Sequence, residues 1–364
     1  MQIPVTAVIL AFGSALLVTP LVRKWAFKCG ALDRPDQRKV HKRIMPRLGG
    51  LAIYLSFVIA VMLTREITTQ VAGLLVGGSL IVLLGIIDDT RGLSPRMKLA
   101  GQVAAALAIV HFGLKVEVLT NPFSAEEPIT LGLLSIPVTV LWIVAVTNAV
   151  NLIDGLDGLA GGTSCIATLT LAAVVWIEST ASGGSPGQWD AIMLALILAA
   201  AILGFLRYNF YPARIFLGDS GSMYLGFNVA ALSIMGLAKT ATFISVIIPV
   251  VILGIPLLDT IFAIVRRYHG HKPIMQPDKE HLHHRLMQMG LSHRQAVLCI
   301  YGVSIILGLS AIAMTLITPK QAAIFLVILS TVILLVANKI GVTGAKGRTT
   351  YLSQQNKQQR SSRM

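Results

Sequence analysis

Seven of the 16 acidic residues fall into four short motifs that also carry Asn, Gly, Arg or His. Asp88 and Asp89 stand in LLGIIDDTRGLSP, and Asn148, Asn151, Asp154 and Asp157 in NAVNLIDGLDGLAGG. Asp219 stands in YNFYPARIFLGDSGS, and Asp278 and Glu280 lead into EHLHHR with His281, His283 and His284. Each has a bland reading: a capped helix end before Arg91, a flexible Gly turn, an N-cap Asp, or two histidines on one helical face awaiting further zinc ligands. Taken together, they describe a site for a hard cation and phosphate. Mg²⁺ takes one or two carboxylates and completes its shell with water and substrate phosphate. Glycine turns ahead of a helix expose backbone N–H groups to anions, and Arg, Lys and His neutralise charge that develops in phosphoryl transfer. A carboxylate without metal can act as base or nucleophile. Such a set suits transfer of a phosphate-linked group from a soluble donor to a membrane acceptor.

The elements that must position these groups are apolar. Of 364 residues, 55% are hydrophobic and 13% charged, about half the charge of an average soluble domain. A span needs about 20 apolar residues. That rule predicts an all-α polytopic protein with eleven spans, at 3–22, 49–64, 71–87, 97–114, 132–147, 159–178, 189–206, 219–237, 241–264, 296–316 and 322–338. Residues 1–338 then form one membrane domain, and 339–364 a basic, disordered tail. The first span has no basic residue before it and no cleavage site after it, so it does not read as a signal peptide.

Orientation follows from the basic residues. With the N-terminus outside and the tail in the cytoplasm, 26 of the 30 Lys and Arg lie on the cytoplasmic side, leaving Arg65, Lys115, Lys239 and Lys320 outside. The net charge of +14 is then a consequence of topology, and nucleic-acid binding is unnecessary. All four acidic motifs fall on that same side. Cys29, Cys165 and Cys299 are too far apart to form a metal or disulfide framework.

HKRIMPRLGG, GIIDDTRGLSP, NAVNLIDGLDGLAGG, YNFYPARIFLGDSGS and EHLHHRL, in this order and spacing, resemble the polyprenyl-phosphate N-acetylhexosamine-1-phosphate transferases over roughly residues 1–338. HLHHRL is similar to the branch that uses UDP-N-acetylglucosamine and starts teichoic acid, O-antigen or enterobacterial common antigen synthesis. The branch that transfers phospho-N-acetylmuramoyl-pentapeptide carries a PxHHHFE-like motif instead. The resemblance implies a multi-pass enzyme of the bacterial inner membrane that acts at the cytoplasmic face. Its partners would be undecaprenyl phosphate and a UDP-N-acetylhexosamine, its cofactor Mg²⁺ with Mn²⁺ as substitute, and a homodimer is compatible with it.

Residue by residue, the resemblance makes Asp219 the principal Mg²⁺ ligand and Asp88 and Asp89 the aspartate pair, with Asp88 the better placed to deprotonate the lipid phosphate. It makes Asp154 and Asp157 the DGLDG acids, with Asp157, Asn209 and Phe216 around uridine. Asn151 becomes an active-site asparagine, and His281, His283 and His284 the motif facing sugar and diphosphate. Lys42 matches the basic loop, which here reads Lys42-Arg-Ile-Met-Pro-Arg-Leu-Gly-Gly where the muramoyl branch has K-x-G-T-P-T-M-G-G. The opposing reading is a transporter or lipid flippase, whose polar groups would lie near the bilayer midplane.

Overall fold

The computed structural model describes residues 5–33, 44–119, 129–237, 243–269 and 281–340. Lys42, Asp278 and Glu280 lie outside the described residues, as does the tail beyond 340. Every apolar segment forms helix. The first eight are α1 (Val5–Cys29), α2 (Gly49–Thr64), α3 (Thr69–Arg91), α4 (Pro95–His111), α5 (Ser135–Ile153), α6 (Leu159–Ser182), α7 (Pro186–Asn209) and α8 (Asp219–Leu237). After them come α9 (Phe243–Ile252), α10 (Gly254–His269), the short α11 (Leu282–Gln288), α12 (His293–Thr315) and α13 (Pro319–Ile340).

Eight of these helices are long and apolar enough to cross a bilayer, so the chain is a mostly helical, polytopic membrane protein. α2 and α4, at 16 and 17 residues, fall short of that length. The segment expected as one span at 241–264 is two helices that meet at Leu253. Pro256 has no N–H for the carbonyl of Ile252, so the ladder is interrupted there. Between the helices, the described residues include two short antiparallel ladders. β1 (Leu32–Asp33) pairs with β2 (Met45–Pro46), and β3 (Val118–Leu119) pairs with β4 (Ile129–Thr130).

α8 is the axis of the bundle. All of its residues from Ser220 to Leu237 are buried, and it packs against α2, α3, α5, α6, α7 and α9. A helix that is apolar all round belongs in an interior. At its N-terminal end small residues let backbones touch: a Cβ on Gly50 would stand 2.1 Å from Gly221, and one on Gly85 would stand 2.2 Å from Ser220. These close approaches draw the starts of α2 and α8 and the end of α3 to one point. At the periphery, α13 turns Ile324, Val327, Ile328, Leu334 and Leu335 outward, as a lipid-facing helix does.

Candidate active site

The ends of α3, α5 and α7 and the starts of α2, α4, α6 and α8 meet at one end of the bundle. Asp88 and Asp89 close α3 and are both buried despite their charge. Asp89 Oδ1 and Oδ2 accept the backbone N–H groups of Asp219 and Ser220 at 2.9 and 3.0 Å. A carboxylate at a helix N-terminus satisfies orphan donors and complements the dipole, so Asp89 caps α8 from a neighbouring helix. Gly218 makes room for it: φ is +74° there, and a Cβ would meet Asp89 Oδ2 at 2.5 Å. Because Asp89 does the capping, the carboxylate of Asp219 is free to face the site.

Asp219 Oδ1 accepts from Asn151 Nδ2 at 2.6 Å, and its Oδ2 lies 3.0 Å from Lys98 Nζ. Asn151 Nδ2 also reaches Ser222 Oγ at 2.8 Å. Lys98, at the start of α4, forms a second ion pair with Asp88. Asp88 Oδ1 accepts the N–H of Leu93 at 2.6 Å and closes the turn into α4. One ammonium therefore bridges the two carboxylates that the sequence assigns to different roles.

A cleft of about 410 Å³ opens beside this pair, in the size range of small-molecule sites. Asn151, Asp154, Asp157, Asn209, Phe216 and Asp219 all line it. Asp154 stands in the turn after α5. Burial, with repulsion from Asp219 and Asp89, pushes its carboxyl up to about 8, although Arg47 opposes the shift. The folded chain therefore takes up this proton more readily than the unfolded one. The resulting stability is present at low pH and lost as pH rises through about 8. We expect the melting temperature of metal-free protein to fall between about pH 4 and 8 and Asp154→Asn to flatten that slope. An unchanged slope in the variant would count against this assignment.

Asp157 and Asn209 line the cleft with atoms already committed to backbone. Asp157 Oδ2 accepts the N–H of Ala213 at 3.0 Å. The buried amide of Asn209 accepts from Gly158 N–H at 3.1 Å and donates to the carbonyl of Ile215 at 3.0 Å. Asn209 thus staples the turn before α6 to the loop before α8. Phe216 is fixed through its backbone, with its N–H on Pro46 O at 2.9 Å and its carbonyl on Gly49 N–H at 3.0 Å.

Of the three histidines, His284 lines the cleft, while His281 and His283 are buried. The His283 ring abuts Gly155, where a Cβ would sit 2.4 Å away, and neither ring nitrogen has a hydrogen-bond partner among the described residues. Burial, and then His284, push its ring down to about 3, so it packs as a neutral group.

Several cleft residues escaped the sequence reading. Arg47 lies beside the acids of the wall and pairs with Asp33 at 2.9 Å across the β1–β2 ladder. Tyr211 stacks on His293 with centroids 4.5 Å apart, and His293 Nε2 accepts the N–H of Asp157 at 2.9 Å. Lys98 had a legible signal in its position, a cation at the membrane edge ten residues after Asp88. The others did not, because loops distant in sequence bring them together.

Among the described residues, no group of three or more His, Cys, Asp or Glu forms a ready cage for a metal ion. Mg²⁺ does not require one. The carboxylate of Asp219, with Asp154 near it repelled by the surrounding negative charge, offers hard oxygen that fits a cation shared with substrate phosphate.

Residues 71–237 match the model of glycosyl transferase family 4. The chain is 45% identical over 337 residues to a probable undecaprenyl-phosphate N-acetylglucosaminyl 1-phosphate transferase of Bacillus subtilis, covering 92% of this chain and 90% of that one. It is 36% identical over 326 residues to a decaprenyl-phosphate N-acetylglucosaminephosphotransferase of Mycolicibacterium smegmatis, covering 84% and 80%. Against the undecaprenyl-phosphate alpha-N-acetylglucosaminyl 1-phosphate transferase of Escherichia coli it is 28% identical over 283 residues, covering 76% and 75%.

Proposed function

The chain belongs to glycosyl transferase family 4 and is a polyprenyl-phosphate sugar-1-phosphate transferase, and from that premise we propose that it transfers N-acetylglucosamine-1-phosphate from UDP-GlcNAc to undecaprenyl phosphate. An oxygen of the lipid phosphate attacks the β-phosphorus of the donor. The bond from that phosphorus to the bridging oxygen breaks, and UMP leaves with the bridging oxygen. One phosphoanhydride replaces another, so the reaction is near equilibrium and the protein supplies positioning and charge stabilisation.

The observation that supports this reading is the Asp88–Lys98–Asp219 bridge, whose Asp219 lines a cleft of about 410 Å³ where several helix ends meet. Asp219, with Asp154 near it, would hold Mg²⁺ against the donor diphosphate. Bound there, the cation would screen the phosphates and neutralise charge at the transferred phosphorus. Asp88 and Lys98 meet the lipid phosphate, and Asn151 orients Asp219. Asp157, Asn209 and Phe216 shape the wall assigned to uridine, and His284 faces the donor. A transporter would gather its polar groups at the midplane, whereas these stand at helix ends. The test is incubation of purified protein with undecaprenyl phosphate and a panel of UDP-sugars. UMP release should be fastest with UDP-GlcNAc, and faster release with the muramoyl-pentapeptide donor would move the chain to the other branch.

We further propose that all eleven apolar segments cross the inner membrane, including the shorter α2 and α4 and the broken α9–α10, with the cleft on the cytoplasmic face. The product would then enter assembly of a cell-envelope glycopolymer. A reporter fused after Lys339 should read as cytoplasmic, and an external reading would show the count to be off by one.

A further inference from the structure

We infer that Asp259 is a positioning residue that acts through His281 to hold His284 against the cleft, an inference that rests on the proposed transfer reaction for its catalytic consequence. Asp259 lies within GIPLLDTIFAIV of α10 and is only 3% exposed. A carboxylate in so apolar a stretch is costly unless its oxygens are engaged. Both are engaged, and both by α11. Oδ2 lies 2.8 Å from His281 Nδ1, and Oδ1 accepts the N–H of Leu282 at 2.9 Å.

α11 depends on these bonds. It is seven residues long and has no side-chain cap of its own at His281, and a helix that short does not hold together alone. Asp259 supplies the cap from another helix, while buried Leu286 and contacts with α12 hold the far end. The carboxylate only accepts, so it also fixes the proton of His281 on Nδ1. Between the two anchors, His283 is pressed onto Gly155 of the turn that carries Asp154 and Asp157. The next residue, His284, with its ring centroid 4.2 Å from that of His283, reaches the cleft wall. Displacement of the α11 start would carry His284 away from the donor without touching Asp219 or Lys98.

A residue that merely holds the fold together would lower activity by the same factor in every background. A residue acting through His284 would not. The experiment measures kcat/KM for UMP release by the full-length chain and by Asp259→Asn, His284→Ala and the double variant. Asp259→Asn should lose about tenfold or more, as orienting partners of functional histidines do. In the His284→Ala background the same change should cost less than about threefold, the signature of coupled sites. Equal factors in both backgrounds would overturn the inference. Should Asp259→Asn fail to fold, His281→Ala removes the same bond from the other side and takes its place in the cycle.

Hydrogen exchange read by mass spectrometry checks the anchoring apart from turnover. Peptides spanning 281–288 should exchange faster in Asp259→Asn while those of α8 stay unchanged, and unaltered exchange in α11 would also overturn the inference. If the wild-type chain releases no UMP from any UDP-sugar, the proposed function falls, and the exchange measurement still decides the anchoring.

Discussion

Asp219→Asn should lower UMP release at least about a hundredfold, the scale for loss of one positioned charged group at a reacting phosphate, with part of the loss recovered at high Mg²⁺ or Mn²⁺. The substitution keeps the shape and removes the charge. It also turns one acceptor into a donor, in a place where Asn151 Nδ2 and Lys98 Nζ both already donate, at 2.6 and 3.0 Å. Whichever way the new amide turns, its NH₂ meets another donor, so Lys98 or Asn151 must move. A hard cation prefers ionised oxygen, so affinity for the metal should fall and the dependence on its concentration should shift upward. Kinetics measured across a metal titration read both effects. A fully active variant would sink the mechanism, and a dead variant indifferent to metal would leave Asp219 a purely structural residue.

The fold was largely legible from hydropathy, because a bilayer requires each crossing segment to satisfy its own backbone and so to declare itself as an apolar run. Every such run is a helix. The break at Leu253 was legible in principle, since Pro249 and Pro256 flank it. A window that sums hydropathy does not register a missing N–H. The acids of the site were legible for a related reason: carboxylates at the ends of apolar helices have few structural excuses. Their division of labour was not. That Asp89 spends both oxygens on the start of α8 depends on Gly85 and Gly218 letting two helices meet within van der Waals contact. Asp259 carried the same signal as Asp88 and passed unnoticed, because its partner His281 lies 22 residues further along the chain. Asn209 was expected to face uridine, and it does line the cleft, but its polar atoms hold backbone of two loops. A motif records that a side chain is needed, whereas only the packed chain shows whether a ligand or the backbone takes its hydrogen bonds.

Lys98→Met should separate the two anionic partners of the site by their opposite response to metal. In the wild type the ammonium pairs with both Asp88 and Asp219, so under the proposed mechanism it would help to neutralise phosphate during transfer and would also compete with a divalent cation for the oxygens of Asp219. Methionine keeps the length of the stem and removes the charge. Turnover at saturating metal should fall about a hundredfold, because a cation at a transferring phosphoryl group is worth that much in a site shielded from water. The metal concentration needed for half activity should fall as well, since Asp219 without its lysine would attract the cation more strongly. This is the reverse of the Asp219→Asn shift. Asp88→Asn should cost a comparable factor in turnover yet show no rescue by added metal. Its deficit should shrink at higher pH, where the lipid phosphate, with a second ionisation near about 6 if it resembles a phosphomonoester, needs no help to lose its proton. Binding of metal read by calorimetry, beside UMP release, distinguishes the three variants. If Lys98→Met instead raises the metal requirement, the lysine is an organiser of the carboxylates and not the metal's competitor, and the charge that drives transfer must be sought at Arg47 and His284, which line the cleft.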